Sequence, residues 1–133
     1  MKWYTHLTCI TLMLAIISRF FPLTLGFILF SLIGSILPDL LESWLGLLHR
    51  SKYVHNLATA IPLILLGMFS EWMMALGLAY AHHIILDTTT VTGSYICNHR
   101  VRGSLKTGNL MHNIIIVLIH VFTSLAIIIL GNY

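Results

Sequence analysis

Residues 110–130, LMHNIIIVLIHVFTSLAIIIL, decide the fold class of this chain, because they form an apolar stretch long enough to cross a lipid bilayer. A membrane-spanning helix needs about 20 such residues. Leu, Ile and Val dominate the stretch, and polar and apolar residues do not alternate with a period of two. A helix is therefore favoured over a strand of a membrane barrel.

The composition extends this conclusion to the whole chain. The sequence has 133 residues, of which 8% are charged and 58% are hydrophobic. Soluble globular domains carry about 25% charged residues, so this chain has too little charge to cover a soluble surface. Its length leaves room for one domain. We therefore predict a single integral membrane domain over residues 1–133.

Four further apolar segments precede residues 110–130, at residues 6–18, 22–37, 56–69 and 72–87. The second is marginal for a full span, and the other three are shorter than a span requires. No cleavage site of the A-x-A type follows the first segment, so we expect it to be a retained helix. The prediction is an all-α membrane protein, a bundle of about five short transmembrane or partly re-entrant helices.

Prolines and a serine mark the predicted helix boundaries. Pro22 suits a helix start, Pro38 suits a helix end, and Pro62 is placed to kink the third helix. Ser70 is a candidate N-cap of the fourth helix. The polar connection at residues 88–109 contains three glycines and three basic residues, which predicts a structured loop or a short amphipathic segment at the membrane surface.

Most of the histidines lie at the ends of the apolar segments or in the polar connections. In an up-and-down bundle, the starts of odd-numbered helices and the ends of even-numbered helices share one face. That face is predicted to collect His6, Asp39, His55, His83, Asp87 and His112, together with the connections that hold His49 and His99.

The basic residues predict which side of the membrane this face occupies. Six of the seven lie on the histidine face, and only Arg19 lies on the other. By the positive-inside rule, the N-terminus and the His/Asp face are cytoplasmic, in an integral plasma-membrane protein. The net charge of +3 does not indicate a nucleic-acid partner, because the basic residues do not interleave with aromatic residues in a polar patch.

Histidine and aspartate are ordinary ligands of zinc and manganese, which makes this face a candidate metal site. His83 and Asp87 are spaced i, i+4 and share one helix face, which suits two ligands, or one ligand with its orienting carboxylate. A helix-capping pair is an equally good alternative. Asp39 follows Pro38, and a helix that stops there aims the carboxylate out of the bilayer; a simple turn is the alternative.

The segment from His49 to His55 places two histidines in a short basic loop before the third helix. The imidazoles could serve as ligands, and Arg50 and Lys52 could hold an anionic substrate such as a phosphate. The alternative is a positive-inside loop with incidental histidines.

The order of these residues resembles the YdjM-like membrane-bound metal-dependent hydrolases, in their archaeal-type form. The resemblance rests on Tyr4-Thr5-His6, Leu37-Pro38-Asp39, His49-Arg50, His55-Asn56 and Tyr80…His83…Asp87, with Thr90 and Gly93 after them. It implies a metal site built from His6, Asp39, His49, His55, His83 and Asp87. The family's second aspartate is Leu41 here, with Glu42 one position later.

These observations predict a hydrolase that uses zinc or manganese at the cytoplasmic membrane surface and acts on a phosphoester or lipid head group. A bound divalent ion would acidify a water molecule, Asp39 or Asp87 would act as general base, and Arg50 would clamp the substrate anion.

The alternative is a noncatalytic membrane protein with a structural metal or a histidine cluster. A transporter is disfavoured, because the polar residues crowd one face. His82, His99, His112 and His120 are predicted bystanders.

Overall fold

The computed structural model describes residues 1–47 and 50–130. His49, one of the predicted ligands, lies outside the described residues. The described chain is mostly helical and contains five helices and one β-hairpin. These are α1 (Trp3–Phe20), α2 (Leu25–Leu45), α3 (Leu57–Leu66), α4 (Glu71–Thr88), β1 (Ser94–Ile96), β2 (His99–Val101) and α5 (Leu110–Leu130).

Helix α4 is the centre of the bundle and packs against both α2 and α3, whereas α1 packs against α2 and α5. Glycines allow the backbones to approach closely. A Cβ atom on Gly34 of α2 would lie 2.5 Å from the carbonyl oxygen of Leu76, and one on Gly77 of α4 would lie 2.7 Å from the backbone nitrogen of Ile64. Small residues serve the same purpose between membrane helices. The close contact of α2 with α4 brings Asp39 towards the end of α4.

Helix α2 does not end at Pro38, and this sequence prediction was wrong. The helix continues through Pro38 to Leu45 and is terminated by Gly46, which has a left-handed backbone with φ 62°. The last turns are anchored by Glu42, whose carboxylate accepts hydrogen bonds from the backbone of Arg50 and Ser51. This anchoring offsets the cost of a proline in a helix interior, and it places Asp39 and Glu42 on one helix face.

The other predicted boundaries hold to within a few residues. Helix α2 begins at Leu25 instead of Pro22, because the Thr24 side chain accepts a hydrogen bond from the Phe27 amide and caps the helix. Ser70 occupies the N-cap position of α4, as predicted, but its side chain makes no capping hydrogen bond. Helix α3 contains Pro62 and ends at Leu66.

Two of the helices in the described chain, α2 and α5, are long and apolar enough to cross a membrane. Only 28% of the most apolar part of α2 and 17% of that of α5 are buried inside the protein, so their apolar side chains face mainly outwards. A soluble protein would bury such helices in its core. That all five helices span or re-enter the membrane stays a prediction.

The connection after α4 is structured, and its centre is an antiparallel hairpin in which Ser94 pairs with Val101. The hairpin is tied to the segment before α3. The Tyr95 amide and the Ser94 hydroxyl both donate to the carbonyl oxygen of His55, at 2.9 Å and 3.0 Å. The hairpin therefore fixes the backbone of a predicted ligand.

Candidate metal centre

Four of the predicted site residues converge at one end of the bundle: Asp39 of α2, His55 just before α3, and His83 and Asp87 of α4. One nitrogen or oxygen atom from each lies within 4.8 Å of the others. These residues are up to 48 positions apart in sequence and meet because α2 and α4 run in the same direction while α3 begins beside their ends. The group could hold a metal ion.

The distances within this group are those of a compact ligand cage. The two imidazole Nε2 atoms lie 3.3 Å apart. Asp39 Oδ1 lies 3.2 Å from Nε2 of His55 and 3.8 Å from Nε2 of His83. Asp87 Oδ2 lies 3.4 Å and 3.2 Å from the same two nitrogens. Four ligands about 2.0–2.1 Å from a tetrahedral zinc ion would be roughly 3.3–3.4 Å apart.

His83 is fixed by a backbone group of α2. Its Nδ1 atom lies 2.6 Å from the carbonyl oxygen of Ser35. A carbonyl can only accept, so Nδ1 carries the proton and the lone pair of a neutral ring lies on Nε2, which faces the cage. His83 is fully buried. Metal-binding histidines are typically oriented in this way by a partner on the second ring nitrogen.

His55 is oriented in the same manner by a carboxylate. Its Nδ1 atom lies 2.7 Å from Oε1 of Glu42, and its Nε2 atom faces Asp39 and Asp87. Burial lowers the pKa of this imidazole, but the hydrogen bonds to Asp39 and Asp87 and the charge of Glu42 outweigh burial and raise the pKa to about 9. Without a metal ion, His55 is therefore a cation at neutral pH.

Asp87 is held by Arg50, which the sequence predicted to clamp a substrate anion. The Arg50 guanidinium is buried and donates to Asp87 Oδ1 at 2.9 Å, to Thr90 Oγ1 at 3.0 Å and to the Gly93 carbonyl at 2.6 Å. The ammonium group of Met1 also contacts Asp87 Oδ1. The structure thus gives Arg50 three protein partners, and Arg50 orients a candidate ligand; its role as a substrate clamp stays a prediction.

His6 lies beside the cage but outside the group of four. Its ring stacks on that of His83, with ring centroids 3.8 Å apart, and its Nε2 atom lies 3.5 Å from Asp87 Oδ1. The side chain is fully buried, and neither ring nitrogen makes a hydrogen bond with the described residues. An orphaned imidazole beside a carboxylate is expensive in a protein interior, and its position suits an additional ligand.

The cage opens to the outside at Asp39. The side chain of Asp39 is 31% exposed, whereas those of His55, His83 and Asp87 are fully buried. A cavity of about 260 Å³ adjoins it and is lined by Asp39, Glu42, Ser43 and Leu47. A small molecule or a head group could reach the cage from this side.

The composition of the cage suits a divalent cation. The cage offers two carboxylates and two imidazoles as ligand groups, and one of the carboxylates, Asp87, is also paired with the Arg50 guanidinium and the Met1 ammonium. Oxygen and nitrogen ligands are those of zinc and manganese. The residues present therefore fit the metal that the sequence implied.

Glu42 and Ser35 are the participants that the sequence reasoning missed. The spacing of Asp39 and Glu42, three residues apart, would have placed both on one helix face, but the predicted helix end at Pro38 hid this signal. The partner of His83 is a backbone carbonyl at Ser35, which the sequence cannot indicate.

Of the predicted bystanders, His112 accepts a hydrogen bond from the Lys106 amide, and His99 is exposed on the hairpin.

We predict that Glu42→Gln weakens metal binding by about 10–100-fold, the usual effect of losing an outer-shell partner. Glutamine keeps the length of the side chain but removes the charge that holds Nδ1 of His55. Competition with a chelator measures this effect. Glu71→Gln is the matched control, because Glu71 lies at the opposite end of α4 and binds Thr24; an equal loss in both variants would contradict the assignment.

Comparisons of this chain with models of known protein families, with curated proteins and with solved structures found no match.

Proposed function

We propose that this protein is a membrane-bound metal-dependent hydrolase that acts on a phosphoester, with a lipid head group as the favoured substrate class. The observation that carries the proposal is the pair of buried imidazoles, each fixed at Nδ1 and each facing two carboxylates through Nε2. Such orientation serves metal binding, and the solvent-exposed side at Asp39 is what a catalytic site requires and a closed structural site lacks.

The membrane location is supported by the outward-facing apolar surfaces of α2 and α5. Exposed aromatic side chains ring the end of the bundle that holds the cage, as in the interfacial belts of membrane proteins. They are Trp3, Tyr4, Trp44 and Tyr53. With the excess of basic residues at this end, we infer that the cage lies at the cytoplasmic surface of the plasma membrane, at the depth of lipid head groups.

In this proposal the buried residues His55, His83 and Asp87 are the ligands, and Asp39 has the catalytic role of proton acceptor. When bound, a divalent ion would acidify a water molecule and polarise a phosphoryl oxygen. Asp39 lies at the rim of the cavity, where it can take a proton from a water molecule that enters from that side. Glu42, Ser35 and Arg50 hold the ligands in position.

The proposal is tested by activity measurements on purified, metal-loaded protein. We expect hydrolysis of a chromogenic phosphodiester or phosphomonoester, or of phospholipid in mixed vesicles. Asp39→Asn should keep the metal but lower kcat by about 100-fold or more, the usual contribution of a general base. Asp39→Asn with full activity would remove Asp39 from the mechanism, and wild-type protein with stoichiometric metal and no turnover would overturn the hydrolase.

Metal affinity should increase with pH. His55 has a pKa of about 9 without metal, so binding at pH 7 must displace its proton. The affinity is therefore expected to rise by about tenfold per pH unit up to pH 9 and to level off above it, since one proton is released per ion. Chelator competition between pH 6 and 10 measures this slope. An affinity that is flat between pH 6 and 9 would show that no such proton is displaced.

A structural metal site is the second candidate, favoured by the way in which the cage joins the segments. Asp39, His55 and the pair on α4 connect three helices, and a shared ion would hold them together as in small metal-stabilised domains. This candidate predicts a large loss of thermal stability on metal removal and no turnover with any phosphoester. The proposed hydrolase predicts turnover that disappears and returns with the metal.

A further inference from the structure

A second pair of histidines lies outside the cage group, on α4 and α5, and its member on α4 directly precedes the cage residue His83. His82 of α4 and His120 of α5 approach with their Nε2 atoms 3.3 Å apart and their ring planes at 83°. His120 is the eleventh residue of the 21-residue helix α5, which is apolar enough to span a membrane. Ionisable side chains at such a position are costly and usually functional.

The hydrogen bonds of this pair leave ring nitrogens available as ligands. His120 Nδ1 lies 3.0 Å from the carbonyl oxygen of Ile116 in its own helix, so Nδ1 carries the proton and the lone pair lies on Nε2. That lone pair accepts a hydrogen bond from Nε2 of His82 at 3.3 Å, and an ion bound between the two nitrogens would replace this proton. The other ring nitrogen of His82 is buried and has no hydrogen-bond partner among the described residues. Within the described chain, His120 is therefore the group that fixes the His82 ring.

The distance between the two nitrogens fits a shared metal ion. Two nitrogens 3.3 Å apart, each about 2.0 Å from an ion, subtend an angle of about 110°. This is the angle of a tetrahedral or trigonal site. The pair also borders a cavity of about 250 Å³ between α1, α4 and α5, which has room for an ion and a further ligand. The cavity is lined by Met13, Ile16, His82, Ile119, His120 and Thr123.

The cavity lining decides which class of ion would bind. No carboxylate lines it, so a divalent ion would carry two uncompensated charges in an apolar environment, and a monovalent ion only one. Met13 brings a thioether to the same cavity, and thioethers select Cu(I) among the biological metals. The carboxylate oxygens of the cage instead favour zinc or manganese.

We propose that His82 and His120, with Met13, form a second metal site that binds Cu(I). The site is separate from the carboxylate cage and does not depend on the hydrolase proposal. Its two histidines join α4 to α5, so an ion bound there would couple the end helix of the bundle to the helix that carries the cage ligands His83 and Asp87.

The test is an anaerobic titration of the full-length protein with Cu(I) against a chromogenic Cu(I) chelator, in detergent and after zinc has been supplied to occupy the cage. All variants carry Cys97→Ser, which removes an exposed thiol that would bind Cu(I) by itself. We expect one Cu(I) per chain. His82→Leu and His120→Leu should each weaken binding by more than about 100-fold, and Met13→Leu by about tenfold, whereas His99→Leu should have no effect.

Circular dichroism shows whether each variant is folded, and His82→Gln and His120→Gln replace the leucine variants if those do not fold. X-ray absorption at the copper edge should show two nitrogen ligands and one sulfur. The proposal is overturned if the wild-type protein takes up no more Cu(I) than the double variant His82→Gln, His120→Gln, or if the bound copper has no histidine ligand. A protein that binds Cu(I) but neither zinc nor manganese would retain this proposal and contradict the hydrolase proposal.

Discussion

Replacement of His83 by alanine should remove the metal from the cage, with metal content falling from about one ion per chain to less than about a tenth. His83 is fully buried, its Nδ1 proton is held by the Ser35 carbonyl, and its Nε2 atom lies within 3.8 Å of an atom of each of the other three cage residues. Alanine removes one of the three proposed ligands, and a catalytic zinc site usually needs three protein ligands. Hydrolytic activity should disappear together with the metal.

Elemental analysis of purified wild-type and variant protein measures this effect, and circular dichroism shows that the helices are retained. His99→Ala is the matched control, because His99 is exposed on the hairpin, where its backbone pairs with Ile96. Equal metal content in the wild type and His83→Ala, or no metal in either, would contradict a metal site at this position.

Replacement of Arg50 by methionine should lower the free energy of unfolding by about 3–5 kcal/mol, which is the usual cost of removing one partner of a buried ion pair. Methionine has a similar length but leaves the Asp87 carboxylate, the Gly93 carbonyl and the Thr90 hydroxyl without their common donor. For a chain of this size the melting temperature should fall by roughly 10 °C or more.

Thermal unfolding in detergent measures this loss, with Lys52→Met as the control. Lys52 is exposed two residues further along, and its ammonium group lies 5.2 Å from the centre of the Tyr53 ring, so its replacement should cost less than about 1 kcal/mol. A substrate-binding Arg50 predicts a different pattern: an unchanged melting temperature and a raised KM. That pattern would restore the role that the sequence first indicated.

The convergence of the cage residues could be predicted from the sequence, because it depends only on the number and direction of the helices. With five helices counted, His55 at a helix start and His83 at a helix end must lie at one end of the bundle. The apolar segments were clear enough to give this count. The helix ends were not, because a proline such as Pro38 is read from sequence as a stop when the compensating contacts of Glu42 are unknown.

The orientation of the side chains could not be predicted in the same way. Arg50 lies in a basic loop, and such loops are usually exposed at the cytoplasmic surface. Its burial follows from contacts with Thr90 and Gly93, some 40 residues later in the chain. The pairing of His82 with His120 was missed for the same reason, because each histidine lies inside an apolar segment and its partner lies on a different helix.

The hairpin tie to His55 sets the order in which the candidate metal centre is assembled during synthesis. The carbonyl of His55 is held by Ser94 and Tyr95, so a nascent chain that ends at α4 contains all four cage residues but not the two groups that hold this carbonyl. The backbone of this candidate ligand is therefore fixed only once the hairpin has been synthesised, and a metal centre at this position would be completed after the first four helices.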